Sequence, residues 1–184
     1  MYSKGTFLRI FVTAMIFFLA LCPGVLASEA KAKAAPEAKT SAQKFIGTWQ
    51  LVASEFRASD GKVAYPLGEK AEGILICDSG GRWAAQLMRP DRPKFASGDM
   101  QGGTLEEIKT AADGYVAYFG TYEVNNKKRT VVVHVEAALF PNWVGQDQIR
   151  FYEFSDDLLT LKTPPLLLGG HETTGVLVWK RLPL

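Results

Sequence analysis

His134 and Glu136 carry the most suggestive chemistry in this chain. They lie two residues apart in TVVVHVEAALFPNWVG, residues 130–145. Four β-branched valines at the head of that stretch favour extended backbone, and Pro141-Asn142 marks its end as a turn. Alternation along a strand puts Val131, Val133, Val135, Ala137 and Leu139 on one face, with His134 and Glu136 together on the other. An imidazole beside a carboxylate is the pairing that general acid–base catalysis uses, with His134 as base and Glu136 as the group that orients it. Side chains at i and i+2 stand about 6 to 7 Å apart at the backbone, so a direct hydrogen bond requires both to lean.

Other residues could join them. Arg150, on the next strand, falls opposite Glu136 within a residue or two if the chain folds back at 142–145, and opposite charges are favourable cross-strand neighbours. Tyr118 and Tyr122 share a face of the preceding strand; Trp83 and Gln86 lie on an earlier one, and Trp143 sits in the turn. Together Trp83, Gln86, Tyr118, Tyr122, His134, Glu136, Trp143 and Arg150 form the candidate ligand-binding set. The alternation leaves two readings open. His134 and Glu136 line an interior that fixes a polar head group, or they form a solvated surface pair while the apolar face points inward. Aromatic residues at strand spacing also have a plain core role, and Arg89, Arg92 and Lys94 could either guard an entrance or lie in a solvated loop.

The elements that must position these groups follow from the turn and periodicity signals. Strands are expected at 48–56, 72–77, 82–88, 115–124, 130–139, 148–154, 158–163 and 174–181. Thr104 with Glu107 three residues later is a capping box that starts one short helix, stopped at Gly114. The Pro- and Gly-rich stretch 89–103 interrupts the strands with a loop long enough to act as a lid. Eight strands joined mainly by short hairpins, with one mid-chain helix, predict an all-β, antiparallel up-and-down barrel. An open sandwich is the alternative.

Composition narrows the partner classes. Lys4 and Arg9, an apolar run over 10–21 and Val25-Leu26-Ala27 form a signal-peptide pattern with cleavage expected near Ala27 and export of the remainder. The apolar run falls short of the ~20 residues of a membrane span, so no stable insertion is expected after cleavage. A lipid-modified Cys22 is disfavoured by the bulky Leu21 before it. The full chain carries 21 basic and 19 acidic residues, and losing Lys4 and Arg9 leaves 19 of each. That balance disfavours nucleic acid as a partner. With Cys22 gone, Cys77 has no disulfide mate and reads as a buried, inert thiol. Two histidines far apart in sequence give no metal-site spacing, and no nucleotide or dinucleotide fingerprint occurs, so neither metal nor cofactor is expected. Residues 28–44, rich in Ala, Lys and Glu, read as a flexible tether, leaving 45–184 as one domain.

Gly47-Thr48-Trp49, a G-x-W at the head of the first strand, resembles the lipocalin and calycin group, in which this tryptophan closes one barrel end against a basic residue of the last strand. Lys180 and Arg181 stand in that place here. The longer runs GTWQLVASEF, AAQLMRPDRPKFASGD, HVEAALFPNWVG and TGVLVWKR are similar to the lipocalin-like domain proteins across about 45–182. The resemblance implies a lipocalin-like barrel with an internal cavity. It departs from secreted lipocalins in having its helix mid-chain and in lacking a disulfide. The functional expectation is an exported protein that holds a small, largely hydrophobic molecule with a polar head group. The alternative is a cofactor-free isomerase, cyclase or hydrolase built on His134 and Glu136.

Overall fold

The computed structural model describes residues 40–183 except Gly169. The expected signal segment and residues 28–39 of the expected tether lie outside the described residues. The remainder of that tether is ordered. Thr40 caps a short helix α1 (Ser41–Phe45) through a reciprocal pair of hydrogen bonds with Gln43, which satisfies two otherwise orphaned helix donors. The helix ends on Phe45, which has no exposed surface, so the first 41–45 turn belongs to the folded body.

The strands follow as β1 (Gly47–Ala58), β2 (Val63–Ala64), β3 (Glu72–Cys77) and β4 (Arg82–Met88), then helix α2 (Leu105–Asp113). After it come β5 (Tyr115–Asn125), β6 (Thr130–Ala138), a single 3-10 turn at Pro141–Trp143, β7 (Asp147–Ser155), β8 (Leu158–Lys162), β9 (Leu166–Leu168) and β10 (His171–Arg181). All pairings are antiparallel between sequence neighbours, except that β1 meets β3, β8 meets β10, and β10 returns to β1. That last pairing, from Trp49 opposite Arg181 to Ala58 opposite Thr173, closes the sheet into an eight-stranded barrel. Closure removes the exposed edges that an open sandwich would leave. The two additional strands, β2 and β9, were not anticipated. They pair with the end of β1 and the start of β10 and so extend the wall at one rim.

The 89–103 loop is held to α2. Glu107 accepts from the Ala96 backbone at 2.8 Å while also completing the capping box with Thr104. Arg92 donates to Ala111 O and lies over the Tyr115 ring at 4.9 Å, and Arg89 pairs with Asp91.

One barrel end is filled. Trp49 is 1% exposed, and its indole Nε1 donates to Phe45 O at 2.9 Å. Phe45 sits edge-on to Tyr152 and Phe154 at centroid distances of 5.1 and 5.0 Å. Arg181 covers Trp49, its guanidinium 3.9 Å from the ring centroid, and donates to Ile46 O at 2.7 Å and to Lys44 O. The expected basic partner of Trp49 is therefore Arg181; Lys180 points away and reaches Asp157 at 3.7 Å. Gly47 is needed beneath this cap. Its φ of +142° is costly for other residues, and a Cβ there would lie 2.6 Å from Arg181 Nη1.

Two β-bulges change which side chains face inward. In β1 the register slips between Leu51 and Ala53, so Val52 is the extra residue and Ser54 and Phe56 turn in. In the β5–β6 pair, Gly120 faces Val135 while Phe119 faces Ala137, which leaves Glu136 as the extra residue. Gly120 permits this, because a Cβ at that position would fall 1.9 Å from His134 O. The single alternation expected over 130–139 therefore breaks. Val131, Val133 and Val135 are buried as one face, but beyond the bulge Ala138 packs against the core and Leu139 is exposed.

Candidate functional site

A cavity of about 590 Å³ occupies the half of the barrel away from α1. That volume is in the range of pockets that enclose a small organic molecule. The rings of Trp83 and Trp179, with Leu161 and Leu177, line it from β4, β8 and β10. Phe56, Leu87, Val116 and Tyr118 form its walls. Phe140 and Trp143 from the 3-10 turn, Pro66 and Leu67 from the segment after β2, and Leu166 and Leu167 of β9 complete the lining. Leu167 is 76% exposed, which marks the outer rim. Aromatic edges tie that rim to the wall: Trp143 stands nearly perpendicular to both Tyr118 and Phe140, at 5.5 and 5.8 Å.

Few polar groups reach this space. Ser54, Thr163, Gln148 and Arg150 lie on its lining, and Asp113 contributes from the end of α2. Thr163 is already engaged, accepting from Gly175 N at 2.8 Å. Arg150 donates to its own neighbour Ile149 O at 2.8 Å and to Gln148 Oε1 at 3.0 Å. Asp113 is paired with Lys109 one helical turn earlier.

The expected site residues divide. Trp83, Tyr118, Trp143 and Arg150 line the cavity. His134, Glu136 and Gln86 do not. The apolar valine face of β6 takes the interior, because burying three valines is favourable while burying an imidazole and a carboxylate without partners is not. His134 is on the outside, its Nδ1 2.6 Å from Asp147 Oδ1 on the adjacent strand. Glu136 also projects outward and receives a bidentate pair of hydrogen bonds, both 2.7 Å, from Arg82. Arg82, not Arg150, is thus its mate. Arg150 sits opposite Val131 in the register, five positions along β6 from Glu136. The Arg82 guanidinium holds the Glu136 carboxyl below the usual carboxylate range. Gln86 accepts from Tyr115 Oη at 2.8 Å on the outer wall.

Tyr122 faces inward but toward the filled end, against Phe45 and Trp83. Its hydroxyl donates to Asp78 O at 3.2 Å. Burial pushes its phenol up to about 12, so it stays protonated at neutral pH. Burial likewise raises the Cys77 thiol well above its ordinary value, the condition of an unreactive core cysteine. Arg89 and Arg92 are held by the loop and helix contacts described above, away from the cavity lining.

Several lining residues were not singled out from the sequence. Leu161, Leu177 and Trp179 lie on the inward alternation of β8 and β10, and the same period-2 reading applied to those strands finds them. Phe56 and Phe140 are placed by the bulges, which periodicity hides. Among the described residues no group of three or more His, Cys, Asp or Glu side chains could hold a metal ion, and no helix is long and apolar enough to cross a membrane.

A closed antiparallel meander of eight strands, capped by a tryptophan under an arginine at one end and hollow at the other, is the architecture of the lipocalin class. The chain belongs to the lipocalin-like domain family, whose profile matches residues 46–182. Over 107 residues it is 36% identical to the 4'-hydroxy-3'-methoxypropiophenone carrier protein ppsC of Aspergillus oryzae, an alignment covering 54% of this chain and 96% of that protein. Among solved structures it is similar to the REP1-NXSQ fatty acid transporter, at 14% identity and a TM-score of 0.35, covering 77% of this chain and 98% of the other.

Proposed function

We propose that this protein binds a small, mostly apolar molecule carrying one polar group inside its barrel, and carries or sequesters it. The observation behind this reading is the cavity of about 590 Å³, whose lining is aromatic and aliphatic apart from a few polar side chains. Apolar walls provide affinity by removing ligand surface from water, and sparse polar groups fix its orientation. In this reading Trp83, Tyr118, Trp143 and Arg150 are contact residues. The likeness to a protein named as a carrier of an aryl ketone supports a cargo of this general kind. The catalytic alternative depended on His134 and Glu136 projecting into the cavity, and both project away from it.

The test uses N-phenyl-1-naphthylamine, a neutral apolar dye that brightens in dry surroundings. Saturable binding of one dye per chain is expected, together with its loss in Leu177→Trp, where the added ring fills the cavity. Absence of saturable binding, or unchanged binding in the filled variant, overturns the proposal.

Export is a part of the same proposal and rests on the pattern of Lys4, Arg9, the apolar run and Val25-Leu26-Ala27. N-terminal sequencing of the protein recovered outside the cytoplasm is expected to start at Ser28. Recovery of intact Met1 sinks it.

A further inference from the structure

We infer that the cavity selects an amphipathic monocarboxylate, with Arg150 holding its charged end. This rests on the binding reading above and narrows it to a chemical class.

The charge of the cavity points that way. Arg150 lines the cavity and takes part in no ion pair among the described residues. Its two hydrogen bonds are both local, to the carbonyl of Ile149 and the amide oxygen of Gln148. A guanidinium offers five N–H donors and cannot shed its proton, so most of its donor capacity and all of its charge remain uncommitted. A cation partly withdrawn from water is costly without a counter-ion, and an entering anion supplies one. The other charged lining residue, Asp113, already has Lys109.

The neutral polar groups lean the same way. Gln148 commits its carbonyl oxygen to Arg150, which leaves its amide N–H groups as donors. Trp83 and Trp179, each 1% exposed, contribute ring surface to the lining, while their indole nitrogens are enclosed in the wall and do not open onto the cavity. The donors left to the cavity are therefore those of Arg150 and the Gln148 amide, and they suit a ligand that is all acceptor at its polar end. The planar fork of arginine matches a carboxylate in two parallel hydrogen bonds. A phosphate, carrying up to about two negative charges near neutral pH, would leave charge unmatched by a single arginine.

Decanoate, decanol and decylammonium share one tail and differ in head-group charge, and their binding to the full chain at pH 8 is measured by calorimetry. Decanoate is expected to bind at least about 10-fold tighter than decanol, the increment of charge-assisted hydrogen bonds, with decylammonium the weakest. In Arg150→Met the decanoate affinity falls to within about 3-fold of that for decanol, and a retained cooperative urea transition certifies the fold. Arg150→Lys, which keeps the charge and loses the fork, recovers part of the preference and serves if the methionine variant does not fold. Equal binding of decanoate and decanol by the wild type, or a preference that survives removal of Arg150, overturns the inference. So does failure of decanoate to bind a chain that still takes up the neutral dye, an outcome that leaves the carrier reading standing. If the dye fails as well, both fall.

Discussion

The two ends of this barrel are built from similar residue types and do opposite things. At the end covered by α1, Phe45 stands edge-on to Tyr152 and Phe154, Trp49 is tilted against Phe154, and Arg181 sits on top, donating across to the Lys44 and Ile46 carbonyls. At the other end Tyr118, Phe140 and Trp143 also meet edge to face, yet they surround a cavity, and Arg150 donates only to groups of its own strand, Ile149 O and Gln148 Oε1. The difference lies in the backbone partners. A short helix and the residue after it bring Phe45 and the carbonyls of Lys44, Phe45 and Ile46 into the closed end, so the Trp49 indole has an acceptor, whereas the indoles of Trp83 and Trp179 have none among the described residues. Among the described residues, the elements at the open end line the cavity without filling it. Aromatic content alone therefore does not distinguish a plug from a binding site; the state of the polar atoms does.

The sharpest way to break this contrast is to remove the plug. Trp49→Ala deletes a fully buried ring, its hydrogen bond to Phe45 and the platform for Arg181 together. A loss of about 3 to 5 kcal/mol is expected by urea unfolding, the usual range for large buried aromatics. A loss below about 1 kcal/mol, typical of surface changes, would show that the end is not held as described.

The closed end was legible in the sequence because its signals are local and redundant. Gly47-Thr48-Trp49 announces the cap and basic residues follow Trp179; at the cavity end, the equally local capping box at Thr104 and Glu107 fixes α2 with the geometry expected of it. The eight barrel strands were equally plain, since turn residues separate them at hairpin spacing. What the sequence hid was the phase of each strand. Val52 and Glu136 are ordinary strand residues by type, and nothing in their identity announces a bulge. Only Gly120, whose missing Cβ makes room for the His134 carbonyl, marks one, and that close approach involves residues fourteen positions apart. Misplacing that phase left open whether His134 and Glu136 face inward, and it pairs Glu136 with the wrong arginine. Arg82 is 54 residues from Glu136, beyond any local rule. Arg150 was identified by its strand position, but its isolation from carboxylates is a property of the closed barrel.

The bulge itself can be tested. Gly120→Ala pushes a methyl group into the His134 carbonyl, and since the clash is with backbone, the β5–β6 pair must shift. About 1 to 3 kcal/mol of destabilisation is expected, the cost of forcing extra volume into a packed site. Dye binding should weaken too, because Tyr118, Phe140 and Trp143 hang from this junction. An unchanged stability would mean that the slip in register is not fixed by Gly120.

The smallest effect belongs to the outer wall, and it decides whether Arg150 is, among the described residues, a cavity cation without a counter-ion. Glu136 and Arg82 are each nearly half exposed, so solvent screens their attraction. Because Arg82 depresses the Glu136 pKa in the folded state, the stabilisation is present above the ordinary carboxylate value, about 4.3, and is lost as pH falls through the lower folded value. Glu136→Gln should therefore flatten a shallow acid-side slope in the urea midpoint and leave neutral dye binding untouched. In double-mutant cycles, Glu136→Gln should couple to Arg82→Met, with a coupling that fades as salt rises, and should be additive with Arg150→Met. Coupling to Arg150 instead would put the carboxylate inside the barrel, give the arginine a counter-ion, and remove the reason for an anionic ligand.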